Sequence, residues 1–137
     1  MKATFPIESF PFPGAAVYIP ATGDASPLPA HAIEAHLRGQ QAGHVLMAFQ
    51  ISAPDELHPE LWEMHPAGDE MLFMFSGALG VECFDGARRG TAALQAGHAL
   101  VVPKGVWHRL VLHEPGLLLA LLPPQGTQVS HHPEEQT

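Results

Sequence analysis

The sequence predicts an all-β domain, an antiparallel sandwich or barrel, and three observations carry that reading. From Gly43 onward the chain is a series of short apolar runs, turn residues separate them at regular spacing, and no stretch sustains a helical period. A length of 137 residues allows one domain with a real core.

The elements follow in order. Residues 1–30 hold six prolines, Pro6, Pro11, Pro13, Pro20, Pro27 and Pro29, which excludes a long helix. They form an N-terminal segment with one short edge strand at Val17, Tyr18 and Ile19, followed by a loop over 20–29. In the run 31–39, Ala32, Ile33, Ala35 and Leu37 fit helical spacing poorly, so a strand or a single helical turn is expected. Strands are then expected at 44–52, 61–65, 70–76, 79–84, 90–94, 99–102, 107–113 and 117–122. The turns between them carry Pro54-Asp55, Pro66-Ala67-Gly68-Asp69, Gly77, Asp85-Gly86, Gly97, Lys104-Gly105 and Pro115-Gly116. The barrel thus spans 31–122, and the polar tail 123–137 is expected to fray.

Composition narrows the function. Six basic residues stand against 14 acidic ones, a net charge of -8, which argues against a nucleic-acid or anionic-membrane surface. Cys83 is the single cysteine, so an intrachain disulfide and an all-cysteine zinc cage are both excluded. The first residues lack the unbroken apolar run of a signal peptide, and the apolar stretch 110–122 is interrupted by His113, Glu114 and Pro115. The expectation is a cytoplasmic protein. Ten histidines are the compositional outlier, and histidine is the commonest metal ligand.

Two stretches gather the chemistry. Along a strand, residues two apart share a face, so Glu63 and His65 point the same way. The Pro-Ala-Gly-Asp turn then leads to Glu70, which would sit opposite that pair if the two strands form a hairpin. His108 follows a Pro-x-Gly turn and opens another strand. Two imidazoles and one or two carboxylates inside a barrel suit a divalent transition metal. The plainer alternative makes His65 and His108 hydrogen-bonded core histidines, Glu70 a strand-end charge and Glu63 a surface carboxylate.

On these residues the chain resembles the cupin superfamily. Glu63-x-His65-x4-Glu70-x6-Gly77 follows the first cupin motif, with Glu63 in place of its first histidine and Leu57 in place of its leading glycine. Gly97-x5-Pro103-x-Gly105-x2-His108 follows the second, with Leu112 at its final asparagine. The resemblance covers residues 63–108. It implies a jelly-roll β-barrel with a metal in its mouth, held by His65, Glu70 and His108, with Glu63 as a fourth ligand or a catalytic base. Oxygen ligands favour Zn, Fe, Mn or Ni over copper.

Strand alternation extends the picture. Leu61, Leu72, Met74, Leu110 and Leu112 would line an apolar pocket around the metal, suited to a small ligand with an oxygen chelating group. Trp62, Met64, Met71, Phe73 and Phe75 fall on the opposite face, an apolar patch expected to be buried in a homodimer or under the N-terminal segment. Such a protein would be a metal-dependent enzyme, dioxygenase- or isomerase-like; the alternative is a non-catalytic binding or sensing module. His131, His132, Glu134 and Glu135 read as a solvated tail, and Cys83 as a core or interface thiol.

Overall fold

The computed structural model describes residues 7–136, so Pro6 and the start of the proline-rich segment lie outside the described residues. Two antiparallel sheets face each other. The first, in spatial order, holds β2 (Ser26–Leu28), β1 (Ala16–Ile19), β3 (His44–Ile51), β10 (Gly116–Leu122), β5 (Glu70–Met74) and β8 (Ala99–Val102). The second holds β11 (Gln128–Ser130), β4 (Trp62–Met64), β9 (Trp107–Glu114), β6 (Ala78–Phe84) and β7 (Arg89–Gln95).

The pairing is nested: β3 with β10, β4 with β9, β5 with β8 and β6 with β7. The chain therefore folds back on itself as one long hairpin wrapped around a barrel, which is jelly-roll topology. All-β, antiparallel and jelly-roll are thus met together. One expected pairing is not. β4 and β5 do not form a hairpin, because the chain crosses from one sheet to the other through residues 65–69.

The core lies between the sheets. Leu72, Met74, Leu118, Ala120 and Ile51 from the first sheet meet Leu79, Val81 and Leu94 from the second, all nearly free of solvent. Leu118 pairs with Met74 and Ala120 with Leu72, so the inward rows stay in register across strands.

Three elements differ from the expected set. Residues Ala30–Arg38 form helix α1, whose half-buried face is Ala32, Ile33, His36 and Leu37. Those positions do follow helical spacing; the pattern is hidden because His36 takes an apolar place, its ring 4.3 Å from that of Tyr18. Ser26–Leu28 is strand rather than loop, with Pro27 tolerated because β2 is a sheet edge.

The tail, expected to fray, carries β11, paired with β4, and then a short 3-10 turn over Pro133–Gln136. Pro133 is buried, and Glu134 holds Arg89 at 2.9 Å. Arg89 in turn lies over the rings of Trp62 and Phe84, and Arg109 lies over Trp62 from 4.8 Å. Trp62, Phe84 and Trp107 thereby form a second, smaller core on the outer face of the second sheet. Trp62 is only 3% exposed within the single chain, so it leaves the patch expected to meet a partner.

Candidate metal centre

The site forms where β4, β5 and β9 meet across the barrel. Glu63 on β4 stands directly opposite His108 on β9, within one sheet. His65 follows directly after β4, and Glu70 opens β5 on the facing sheet. The chain's crossing between sheets brings Glu70 to the histidines from the facing sheet, not from a hairpin partner strand.

Each histidine is anchored through Nδ1. His65 Nδ1 lies 2.8 Å from Thr127 Oγ1, and His108 Nδ1 lies 3.3 Å from the Val106 carbonyl oxygen. With Nδ1–H donating to these oxygens, each Nε2 faces the site and can offer its lone pair to a metal. His108 Nε2 is 2.7 Å from Glu70 Oε1, and His65 Nε2 is 3.5 Å from the same oxygen and 3.9 Å from Glu63 Oε2. The rings tilt toward each other with centroids 5.4 Å apart.

The turns are tied as well. Gly105 N donates to the His65 carbonyl (3.0 Å), and Lys104 N donates to Asp69 Oδ1 (2.8 Å). The Pro-x-Gly turn before His108 is thus held against the turn that follows His65. Asp69 does this from the Pro-Ala-Gly-Asp turn, and no site role for it was expected from the sequence.

Electrostatics follow from burial. His65, Glu70 and His108 are each 5% exposed or less, whereas the Glu63 side chain is half exposed. Burial raises the Glu70 pKa, but the 2.7 Å bond from His108 and the His65 ring 3.5 Å away outweigh it and bring the carboxyl to about 2. Burial opposes charge on His108, yet its bond to Glu70 raises its pKa overall. The metal-free site therefore favours the charged form of Glu70, and the same contact favours a proton on His108.

His65 Nε2 is buried and makes no hydrogen bond. A buried, unpaired ring nitrogen is costly, and here it points at two carboxylates. Glu63, His65 and His108 offer ligand atoms within 4.8 Å of one another, and Glu70 lies against both histidines. Ligands at about 2.1 Å from one ion stand roughly 3–4 Å apart, so small side-chain adjustments close this set around a metal. The donor chemistry, two neutral imidazoles and two carboxylates, fits a divalent transition ion.

The ligand-type residues occupy both motif halves, on a nested eight-strand core, with the glycine turns where the motifs require them. The fold is a cupin-like jelly roll. Gly77 illustrates the fit of the motif: at φ 76° its Cα lies so close to the 114–116 turn that a Cβ would meet the carbonyl oxygens of Glu114 and Pro115.

No family model and no curated protein matches the sequence. Among solved structures the chain is similar to a cupin-2 domain containing protein from Shewanella frigidimarina, at 23% identity and a TM-score of 0.46 over 58% of this chain and 70% of that one. It is similar to a TDP-quinovose 3,4-ketoisomerase from Campylobacter jejuni, at 20% identity and a TM-score of 0.48 over 56% and 58%. It is also similar to a hydroquinone 1,2-dioxygenase, at 19% identity and a TM-score of 0.45 over 58% and 57%. Less than two thirds of the ketoisomerase and of the dioxygenase chain is spanned.

A cavity of about 220 Å³ opens beside the cupin-like centre. Leu61, Leu72 and Leu110 line it, with Met47, Phe49 and Leu118. Met74 and Leu112 lie outside its lining: Met74 is fully buried in the core, and Leu112 packs against that core from the next sheet. Leu57 packs at the cavity wall in the place of the motif's leading glycine. A second cavity, of about 310 Å³, holds Arg38 of α1, Thr127 and His65, and Glu63 lines both. Thr127 was invisible to sequence reasoning, because its link to His65 spans 62 residues and no motif includes it.

Cys83 pairs across β6 and β9 with His108 and packs against the core, where burial raises its thiol pKa. Among the described residues, no helix is long and apolar enough to cross a membrane.

Proposed function

We propose that this protein is a mononuclear metal-dependent enzyme acting on a small, partly apolar molecule that carries an oxygen donor. One observation carries the reading. Two histidines, each anchored at Nδ1, present Nε2 to a pair of carboxylates at the wall of an apolar cavity, and one of those nitrogens has no partner.

His65, Glu70 and His108 would hold the ion, with Glu63 beside it. Bound there, a divalent ion of zinc, iron, manganese or nickel would supply Lewis acidity toward a substrate oxygen, or redox chemistry if iron or manganese. The protein's part is separate. Leu61, Leu72, Leu110 and Phe49 exclude water and hold the substrate's apolar portion. Glu63, half exposed and lining both cavities, is placed to take a proton from a substrate in either one. The reaction classes that suit this set are dioxygenation and isomerisation through a proton shift, the first needing molecular oxygen and the second none.

The test is metal content of untagged protein purified without chelators, beside a His65→Ala/His108→Ala variant. About one ion per chain, lost in the variant, is the expected result. No binding of zinc, iron, manganese or nickel after incubation with each would overturn the proposal. Oxygen consumption and proton-exchange assays on the loaded protein then separate the two reaction classes. Glu63→Gln is expected to keep most of the metal while lowering turnover on the order of 100-fold, as loss of a general base does. Tight ligand binding with no turnover in any assay would instead identify a binding or sensing module.

A further inference from the structure

We infer that Gln40, just past helix α1, is a positioning residue for the metal centre that acts on His65 through Thr127, a role that rests on the reading of His65 as a metal ligand. His65 Nδ1 meets Thr127 Oγ1 at 2.8 Å, so whatever fixes Thr127 also fixes the ring.

Thr127 closes a tight turn. Its N–H donates to the carbonyl of the fully buried Pro124 at 3.1 Å, and between them Gly126 is left-handed, at φ 77°. A Cβ on Gly126 would stand 2.9 Å from Pro66 Cγ, so the turn lies directly on the residue that follows His65. The Thr127 carbonyl is held from a distant part of the chain: Gln40 Nε2 donates to it at 3.1 Å, across 87 residues.

Gln40 makes that bond from a strained backbone. Its φ is 49°, left-handed, where glycine or asparagine is usual just past a helix. Glutamine lacks the short side chain that lets asparagine bond locally and offset the strain. A glycine at this position would relieve it. What the glutamine adds is a donor on a stem long enough to reach the turn.

The stem starts from a fixed base. The Tyr18 ring of β1 lies 4.3 Å from that of His36, and its hydroxyl donates to the Ala42 carbonyl at 2.7 Å. One side chain thus holds the backbone on both sides of Gln40. Helix α1 has no fully buried residue, so its last turn depends on such contacts. Gln40, Thr127 and His65 all line the second cavity, and the relay runs along that wall. Water competes there for a loose donor, and the two fixed ends keep the bond in reach.

Zinc titration by calorimetry on the whole chain tests the role with two variants. Gln40→Met keeps the stem and removes the donor, whereas Gln40→Gly removes both and relieves the backbone. Each is expected to weaken zinc binding by about 5-fold, less than loss of a group that touches the ligand itself. The denaturant midpoint of Gln40→Gly is expected to stay level or rise, so that affinity and stability move apart. In a Thr127→Val background, Gln40→Met is expected to cause no further loss, because the path to His65 is already cut. Wild-type affinity in both variants overturns the inference, as does an additive loss in the Thr127→Val background. A midpoint that falls together with affinity in Gln40→Gly overturns it too. A second readout needs no metal. Nitrogen NMR spectra of the zinc-free protein at alkaline pH show which ring nitrogen of His65 carries the proton. Nδ1–H is expected in the wild type, with a larger Nε2–H population in Gln40→Met. A wild type that binds no metal would sink the metal reading and leave this measurement to decide. An Nδ1–H population equal in wild type and variant overturns the positioning role.

Discussion

Thr127 shows how one hydroxyl can decide whether a histidine is a ligand. Its Oγ1 fixes His65 Nδ1, and the tautomer that results frees Nε2 for a metal. Thr127→Val is expected to weaken zinc binding by on the order of 10-fold, with Thr127→Ser restoring it, as read by calorimetric titration. A Val variant with wild-type affinity would show that packing alone orients the ring. Glu70 makes a different prediction, for the metal-free protein. Its pKa lies near 2 in the fold and near 4.5 unpaired, so the stability it contributes is present above 4.5 and lost as pH falls toward 2. Denaturant midpoints measured across that window should drop for wild type, and Glu70→Gln should flatten that part of the profile.

Elements place these residues by turning the chain in tight, specific ways. The turn after β5 is the tightest contact, since Gly77 and Gly116 approach each other's backbone where a Cβ has no room. Gly77→Ala combines a left-handed backbone with that clash and is expected to cost about 3 kcal/mol or more, measured by chemical denaturation. A cost under about 1 kcal/mol would mean that the turn relaxes freely. The C-terminal elements matter for the same centre. β11 extends the sheet beside β4, and the residue that anchors His65 lies just ahead of it. Arg89, held by Glu134 above Trp62, fastens the turn that follows.

At the scale of the whole molecule, the barrel brings one carboxylate from each sheet to two histidines, leaves an apolar cavity beside them and keeps one apolar sheet face outside. Fold and centre are therefore expected to vary independently: His65→Ala/His108→Ala should lose metal yet keep the far-UV circular dichroism spectrum of the wild type, because the main core holds neither histidine.

Much of this was legible in the sequence because it is local. Strand alternation needs only neighbouring residues, and it placed Glu63 with His65 and gave Leu72 and Leu110 their inward direction. The prolines and glycines marked the turns for equally local reasons, and the motif spacing brought His65, Glu70 and His108 into one reading before any contact was known. Other features depend on what a residue meets. Helix α1 was concealed by His36, whose half-buried place is set by Tyr18 rather than by its own polarity. The tail reads as polar and loose until β4 offers it an edge and Arg89 an ion pair. Met74 and Leu112 point inward as alternation requires, yet depth in the barrel puts them in the core beyond the cavity. The crossing of β4 and β5 into separate sheets, and the link from Thr127 to His65, belong to the tertiary structure alone. Sequence period fixes which way a side chain points, but the partner it reaches is set by distant strands whose pairing no local pattern encodes.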